Sequence, residues 1–230
     1  MNDRPSNDNT MSLTNVITDP DESFRKRAEN PGLLRPLGIV FLAAIASVLA
    51  PLLTYREFVA AGAPPLASLS LAGSVVFGFF GQFVAWIIFA LVFYLLSIAV
   101  GGEGSLGDTF KLNGWGFAPA IFAGIISAIA QFIALQNVSV PDLPQNLNSE
   151  NAAEFTEALV SFQTAIQSQA AVRIAALIAI VLLIWQGIIW MHATKHARNL
   201  SSRGAAIAVW IPVGLLVLSQ LYNLLTGWVI

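Results

Sequence analysis

An all-α membrane protein, a helical bundle with five transmembrane helices, is the fold class this sequence predicts, and three observations predict it. Of 230 residues, 56% are hydrophobic and only 10% charged, whereas a soluble domain carries about 25% charged residues to meet water. Five apolar stretches, at about 37–54, 77–100, 115–136, 171–192 and 205–229, each exceed the ~17 residues needed to cross a hydrocarbon core of ~30 Å. The eleven Lys and Arg residues fall unevenly between the segments that join those stretches.

Residues 1–35 are polar and hold eleven charges, so they read as a cytosolic tail with no cleavable signal peptide, and the first span as a retained anchor. Within the tail a short juxtamembrane helix is predicted over 20–29. Asp19 is its N-cap, Pro20 its first residue, and Asp21 and Glu22 its acidic first turn, with Glu22 reaching back. Asn30-Pro31-Gly32 stops it. Phe24 and Arg25-Lys26-Arg27 suit a helix lying on inner-leaflet head groups. The plainer reading is a positive stop beside a span.

Residues 36–230 read as one membrane domain. The second apolar stretch runs from 68 to 100, longer than one span needs, yet two spans of about 15 residues would each be too short. Leu66–Val76 is therefore read as an interfacial or re-entrant lead-in and Phe77–Val100 as the span. Ala63-Pro64-Pro65 marks the break before it. In the third loop, Glu150–Gln169 lacks Gly and Pro, and Phe155, Leu159, Phe162 and Ile166 recur at helical spacing. Asn151 and Glu154 resemble a capping box, and Glu154, Glu157, Gln163 and Gln167 fall on wet faces. No breaker separates this helix from the fourth span, which predicts one continuous helix from about 151 to 190.

Orientation follows from the cations. Arg4, Arg25, Lys26, Arg27, Arg35, Lys111, Lys195, Arg198 and Arg203 share one side of a five-span chain, against Arg56 and Arg173 opposite. Cytoplasmic segments carry the excess of Lys and Arg. The N-terminus is thus expected in the cytoplasm and the C-terminus outside a cell membrane. Six spans would put the N-tail and the fourth loop on opposite sides and lose the bias.

The spans hold no Asp, Glu, Lys, Arg or His at membrane depth, which counts against proton-coupled transporters and ion pumps. They do hold amides, Gln82, Gln131, Gln186, Gln220 and Asn223. Interhelical hydrogen bonds worth about 0.6–2 kcal/mol each are the expectation for them, a polar conduit the alternative. Ser219, Asn223 and Thr226 share one face of the last span. His192 and His196 have the four-residue spacing of a zinc helix, but Ala193-Thr194-Lys195 lies between them instead of a Glu base. They are read as a head-group-facing pair beside Lys195.

The absence of cysteine removes disulfides and thiol chemistry. No nucleophile elbow, phosphate loop or cofactor fingerprint occurs, and the basic residues form no extended patch for nucleic acid. No enzyme, cofactor or metal is expected. Ala120, Gly124 and Ala128 form a small-residue packing face in the third span. The most pointed segment is the glycine-rich second loop. Gly101, Gly102, Gly104, Ser105, Asp108 and Thr109 lead to Trp115 and Pro119, and together form a candidate interaction loop. Ser105 and Asp108 can cap a short helix ending at Asn113. The loop is either a demanding connector with an interfacial Trp or a cradle for a lipid phosphate.

Several of these segments match a known pattern. They are Val16-Ile17-Thr18-Asp19-Pro20 and Phe24 before Gly32-Leu33 and Arg35-Pro36, the Gly-Gly-x-Gly-Ser loop with Thr109, and Gly114-Trp115 with Pro119. Trp185, His192 and Lys195-His196 ahead of the last span complete it. From about residue 13 to the end, the arrangement resembles the Yip domain family, the Ypt/Rab-interacting multi-span membrane proteins and their prokaryotic relatives. The resemblance implies a cytosolic N-tail and five spans. In eukaryotic members it implies Rab binding and vesicle trafficking, through a long cytosolic tail that this chain does not show. The function expected is that of a non-enzymatic membrane-organising or protein-interaction protein, with the lipid bilayer and other membrane proteins as partners. A small-molecule transporter or channel subunit is the alternative.

Overall fold

The computed structural model describes residues 19–63, 65–142 and 152–226. They form α1 (Pro20–Ala28), α2 (Leu34–Ala60), α3 (Pro65–Ala99), α4 (Leu106–Asn113), a 3-10 turn (Gly114–Phe117), α5 (Ala118–Leu135), α6 (Ala152–Ser168), α7 (Ala170–Ala197) and α8 (Ser202–Thr226). Helix is the only regular structure among the described residues. Five stretches are long and apolar enough to cross a membrane: Leu34–Ala60, Leu69–Ala99, Leu106–Leu135, Ala170–Ala197 and Ser202–Thr226. The all-α, five-span reading holds. Leu34, Phe77 and Leu225 are 80% or more exposed, which only hydrocarbon can cover without cost.

The spans close into a ring: α3 packs on α2, α2 on α5, α5 on α7, α7 on α8, and α8 returns to α3. Antiparallel connections put α1 and α4 at one end of the ring, the α1 face, and α6 at the other, the α6 face. At the α1 face the core is aromatic, built on Phe24, Trp86, Phe93, Trp115, Phe117 and Trp190. At the α6 face a smaller core joins Phe58, Ala134, Phe162 and Ile166. Where α2 meets α5, Gly124 lets the two backbones touch; a Cβ there would lie 2.6 Å from the carbonyl carbon of Ala46.

The helix starts follow the caps. Asp19 Oδ1 accepts from Glu22 N at 3.3 Å, and Ser105 Oγ accepts from Asp108 N at 3.0 Å. The Glu22 side chain turns instead to Arg25, 2.7 Å away, and Lys26. Asn199, at φ 50°, ends α7 in the left-handed conformation, with Leu200 N returning to Lys195 O at 2.9 Å, the geometry of a Schellman stop.

Four further expectations change within the fold. Residues 66–76 are not re-entrant but continue the second span as part of α3, one helix from Pro65 to Ala99. Such a helix reaches about 50 Å at 1.5 Å per residue, so it overhangs the bilayer. Phe24 does not lie on head groups; it is fully buried against the α1-face core. Trp115 is likewise no interfacial anchor: it is 5% exposed within the aromatic core, with the guanidinium of Arg27 4.3 Å over its ring.

The fourth change is at Gln169, which is extended (ψ 134°) and separates α6 from α7. Packing overrides continuity here. Phe162 sits edge-on against Phe58, centroids 5.0 Å apart, and Phe162 and Ile166 are buried under α6. Gln169 O then caps α7 by accepting from Val172 N and Arg173 N, at 3.0 and 3.1 Å. The Asn151 cap, Val16-Ile17-Thr18, Arg4 and the end of the fifth stretch at 227–229 lie outside the described residues.

Candidate functional site

Polar side chains converge at the α1 face. The last two turns of α7 carry His192, Lys195 and His196 on one flank, because positions i, i+3 and i+4 share a helix face. All three meet a single oxygen on α1. Asp21 Oδ1 accepts from Lys195 Nζ at 2.7 Å and lies 2.8 Å from His196 Nε2 and 3.1 Å from His192 Nδ1. A carboxylate only accepts, so both ring nitrogens carry protons. Hydrogen bonds from Lys195 and then His196 hold Asp21 well below the usual carboxylate range. The histidines therefore face a carboxylate rather than head groups. With an ammonium on the shared oxygen, the arrangement is a clasp and not a cation cradle, and among the described residues no His, Cys, Asp or Glu trio is arranged to hold a metal ion.

The clasp ties α1 to the bundle, which yields a test. Asp21→Asn should speed hydrogen exchange across residues 20–28 severalfold while leaving α7 protected. Because the folded carboxyl titrates below its unfolded value, its contribution is present above the unfolded pKa, near 4. It is lost only as pH falls through the lower folded value. Protection of α1 should thus match at pH 7 and pH 5, and a drop between them would show that the Asp21 carboxylate is not what holds α1.

A second knot surrounds Arg198, only 2% exposed. Its Nε donates to Ser97 Oγ at 2.8 Å and its Nη2 to Gly102 O at 2.8 Å, while Nη1 donates to Gly104 O. Its guanidinium carbon lies 4.3 Å over the Tyr94 ring, and its own carbonyl accepts from Glu103 N at 2.8 Å. The glycine-rich loop is folded around this cation. Gly104, at φ +108°, would place a Cβ 2.6 Å from Ala197 O, so only glycine fits.

The remaining candidate loop residues serve the same cap. Ser105 and Asp108 cap α4, with Gly107 in its first turn and Gly101 exposed before it. Thr109 is buried and bonds to Ser105 O at 3.0 Å. Pro119 is buried in the first turn of α5. Asn113, fully buried, donates to Thr109 O at 2.9 Å and accepts from Thr194 Oγ1 at 3.2 Å; its carbonyl takes the indole N–H of Trp190 at 2.9 Å. Sequence reasoning missed Asp21 as the partner of the histidines and Arg198 as the centre of the loop. A signal existed: three donors at i, i+3 and i+4 call for an anion.

The intramembrane amides divide. Gln131 Nε2 donates to Thr54 Oγ1 at 2.8 Å, tying α5 to α2. Gln82, Gln186, Gln220 and Asn223 form no side-chain hydrogen bond with any described residue, although Gln186 is only 8% exposed. The expected bonds from Gln186 and Asn223 to neighbouring helices do not form, and Asn223 Oδ1 is buried without a partner.

The Yip1 domain pattern matches residues 14–222. The chain belongs to the Yip1 domain family. It is also similar to an uncharacterised protein of Methanocaldococcus jannaschii, 32% identical over 126 residues, which is 51% of this chain and 86% of the relative. No solved structure matches it. In this Yip1-domain chain, the family pattern extends over both knots of the α1 face and all the spans but the final turn of α8.

Proposed function

We propose that this Yip1-domain protein is a non-enzymatic membrane organiser that works by contact with other membrane proteins and lipid, with its α1 face in the cytoplasm. One observation carries the reading: the two densest polar clusters at the α1 face are already engaged within the fold. His192, Lys195 and His196 close on Asp21, and Arg198 closes on the loop, which makes that face a rigid surface rather than a reaction centre. Capture from native membranes, through a photo-crosslinker at exposed Gly101, should yield another integral membrane protein. Adducts of lipid alone would remove the protein-contact part of the reading.

The orientation is tested by reporter fusions. Those after Gly104 and Ser201 should report cytoplasm, and those after Leu147 and at the C-terminus the opposite side. A cytoplasmic C-terminus would overturn it. A second reading, a transporter or channel subunit, draws on Gln186, whose amide lies in the bundle unbonded. It requires solute flux in proteoliposomes that Gln186→Leu abolishes without changing thermal stability.

A further inference from the structure

We infer that α7 and α8 build a phospholipid site at the α6 face, with Arg173 taking the phosphate and Gln220 and Asn223 taking the polar groups below it. The starting point is uneven packing along α8. Its buried positions are Gly204, Ala205, Ala208, Val209 and Val213, all in the half nearer the α1 face. Positions seven apart lie two turns apart on one flank of a helix. Gln220 thus continues the flank of Val213, and Asn223, fourteen on, that of Val209. Val209 and Val213 are fully buried, yet Gln220 is exposed and Asn223 half-exposed. On α3, similarly, Trp86, Ala90, Phe93 and Ser97 are buried, and no described position from 69 to 85 is. The flank that α8 seals near the α1 face lies open near the α6 face.

The opening is polar. The side chains of Gln220 and Asn223 bond to no described residue; Asn223 Oδ1 is itself buried, so the groups offered outward are amide N–H donors. Lipid tails offer such groups nothing.

Arg173 completes the site. Gly187 of α7 packs on α8, where a Cβ would meet Trp210 and Val213 at 3.0 Å. Ile180 and Arg173, seven and fourteen residues earlier, follow on that same flank. Fourteen residues are about 21 Å of helix, which puts Arg173 at the α6-face end, level with the last turn of α8. It is exposed, and among the described residues its guanidinium has no acidic or hydrogen-bonding partner. An unpaired guanidinium at head-group depth above unpaired amides matches a phosphate ester above its glycerol and carbonyl oxygens.

The inference adds a ligand to the proposed membrane-organising role and rests on that role only for its biological use. Its test is separate from protein capture, so either can fail alone. The full chain is delipidated in detergent and titrated with dioleoylphosphatidylglycerol, with bound lipid counted by native mass spectrometry. Arg173→Gln, Gln220→Leu and Asn223→Leu should each weaken the tightest lipid about tenfold, the scale of one such bond in a membrane. Arg203→Gln, exposed at the opposite face, should leave it unchanged. Unaltered melting confirms folding of each variant; should one unfold, the other two decide the result.

Equal loss with Arg173→Gln and Arg203→Gln would overturn the site in favour of annular lipid. Competition by glycerol phosphate at the lipid's own concentration would overturn the lipid part and leave an anion site. Because the chain has no cysteine, Gln220→Cys gives a unique crosslinking handle. A disulfide between two copies through it would overturn the proposal in favour of self-association.

Discussion

Replacing Arg198 by methionine should destabilise the protein by about 3–5 kcal/mol, the summed cost of leaving its hydrogen-bond acceptors without a donor. The physical reason is the asymmetry of buried hydrogen bonds: leaving an acceptor unsatisfied costs about 1–3 kcal/mol, more than a made bond contributes. Three acceptors would lose their donor together, the buried Ser97 Oγ and the partly buried Gly102 O and Gly104 O. The Tyr94 ring would also lose the cation above it. Methionine fills part of the volume and has no donor. Lysine should do little better, because one ammonium cannot reproduce a planar fork that serves three directions. In detergent the melting temperature should fall by roughly 10 °C, and protease should cut near Glu103, whose N–H is pinned to the Arg198 carbonyl. A methionine variant that melts within a degree or two of the parent would show that the loop folds without its cation.

What the sequence made legible is what local rules govern. Hydropathy fixed the number of spans because crossing hydrocarbon requires a length of apolar helix whatever its neighbours are. The caps at Asp19 and Ser105 were readable because a cap bonds three residues on. The α6 stripe was readable because burial repeats with the helix; Phe162 and Ile166 are its most buried members. What stayed hidden depends on partners far apart in the chain. Nothing in the spacing of His192, Lys195 and His196 names Asp21, 171 positions away from the first of them. Gln169 carries no breaker signal, yet the docking of α6 on Phe58 ends one helix and starts the next. The glycine-rich loop was conspicuous by composition, but its centre, Arg198, lies 94 positions beyond Gly104. Sequence marked the segments of the α1 face and left open which of them touch.

Gly116→Ala should be among the more damaging single-methyl changes at the described glycines. A Cβ at Gly116 would lie 2.2 Å from Cδ1 and 2.3 Å from Nε1 of Trp190, so the ring or the backbone must move. The ring is held on every side. Its N–H is bonded to Asn113 O at 2.9 Å, and Phe89, Phe93 and Phe117 pack on it with centroids 4.7, 5.3 and 5.5 Å away. The backbone is equally fixed, because the 3-10 turn of Gly116 connects α4 directly to α5. Overpacking a well-filled core costs about 1–3 kcal/mol, occasionally more, and this site should fall at the upper end. Gly81→Ala is the matched control: it lies inside α3 with nothing within 4 Å of its added Cβ. There alanine should be neutral or stabilise by up to about 1 kcal/mol, because it is the better helix former. Melting curves of the two variants should diverge by about 5–10 °C. A Gly116→Ala protein as stable as Gly81→Ala would mean that Trp190 can leave its place, and that the α1-face core is not the rigid platform on which the proposed role depends.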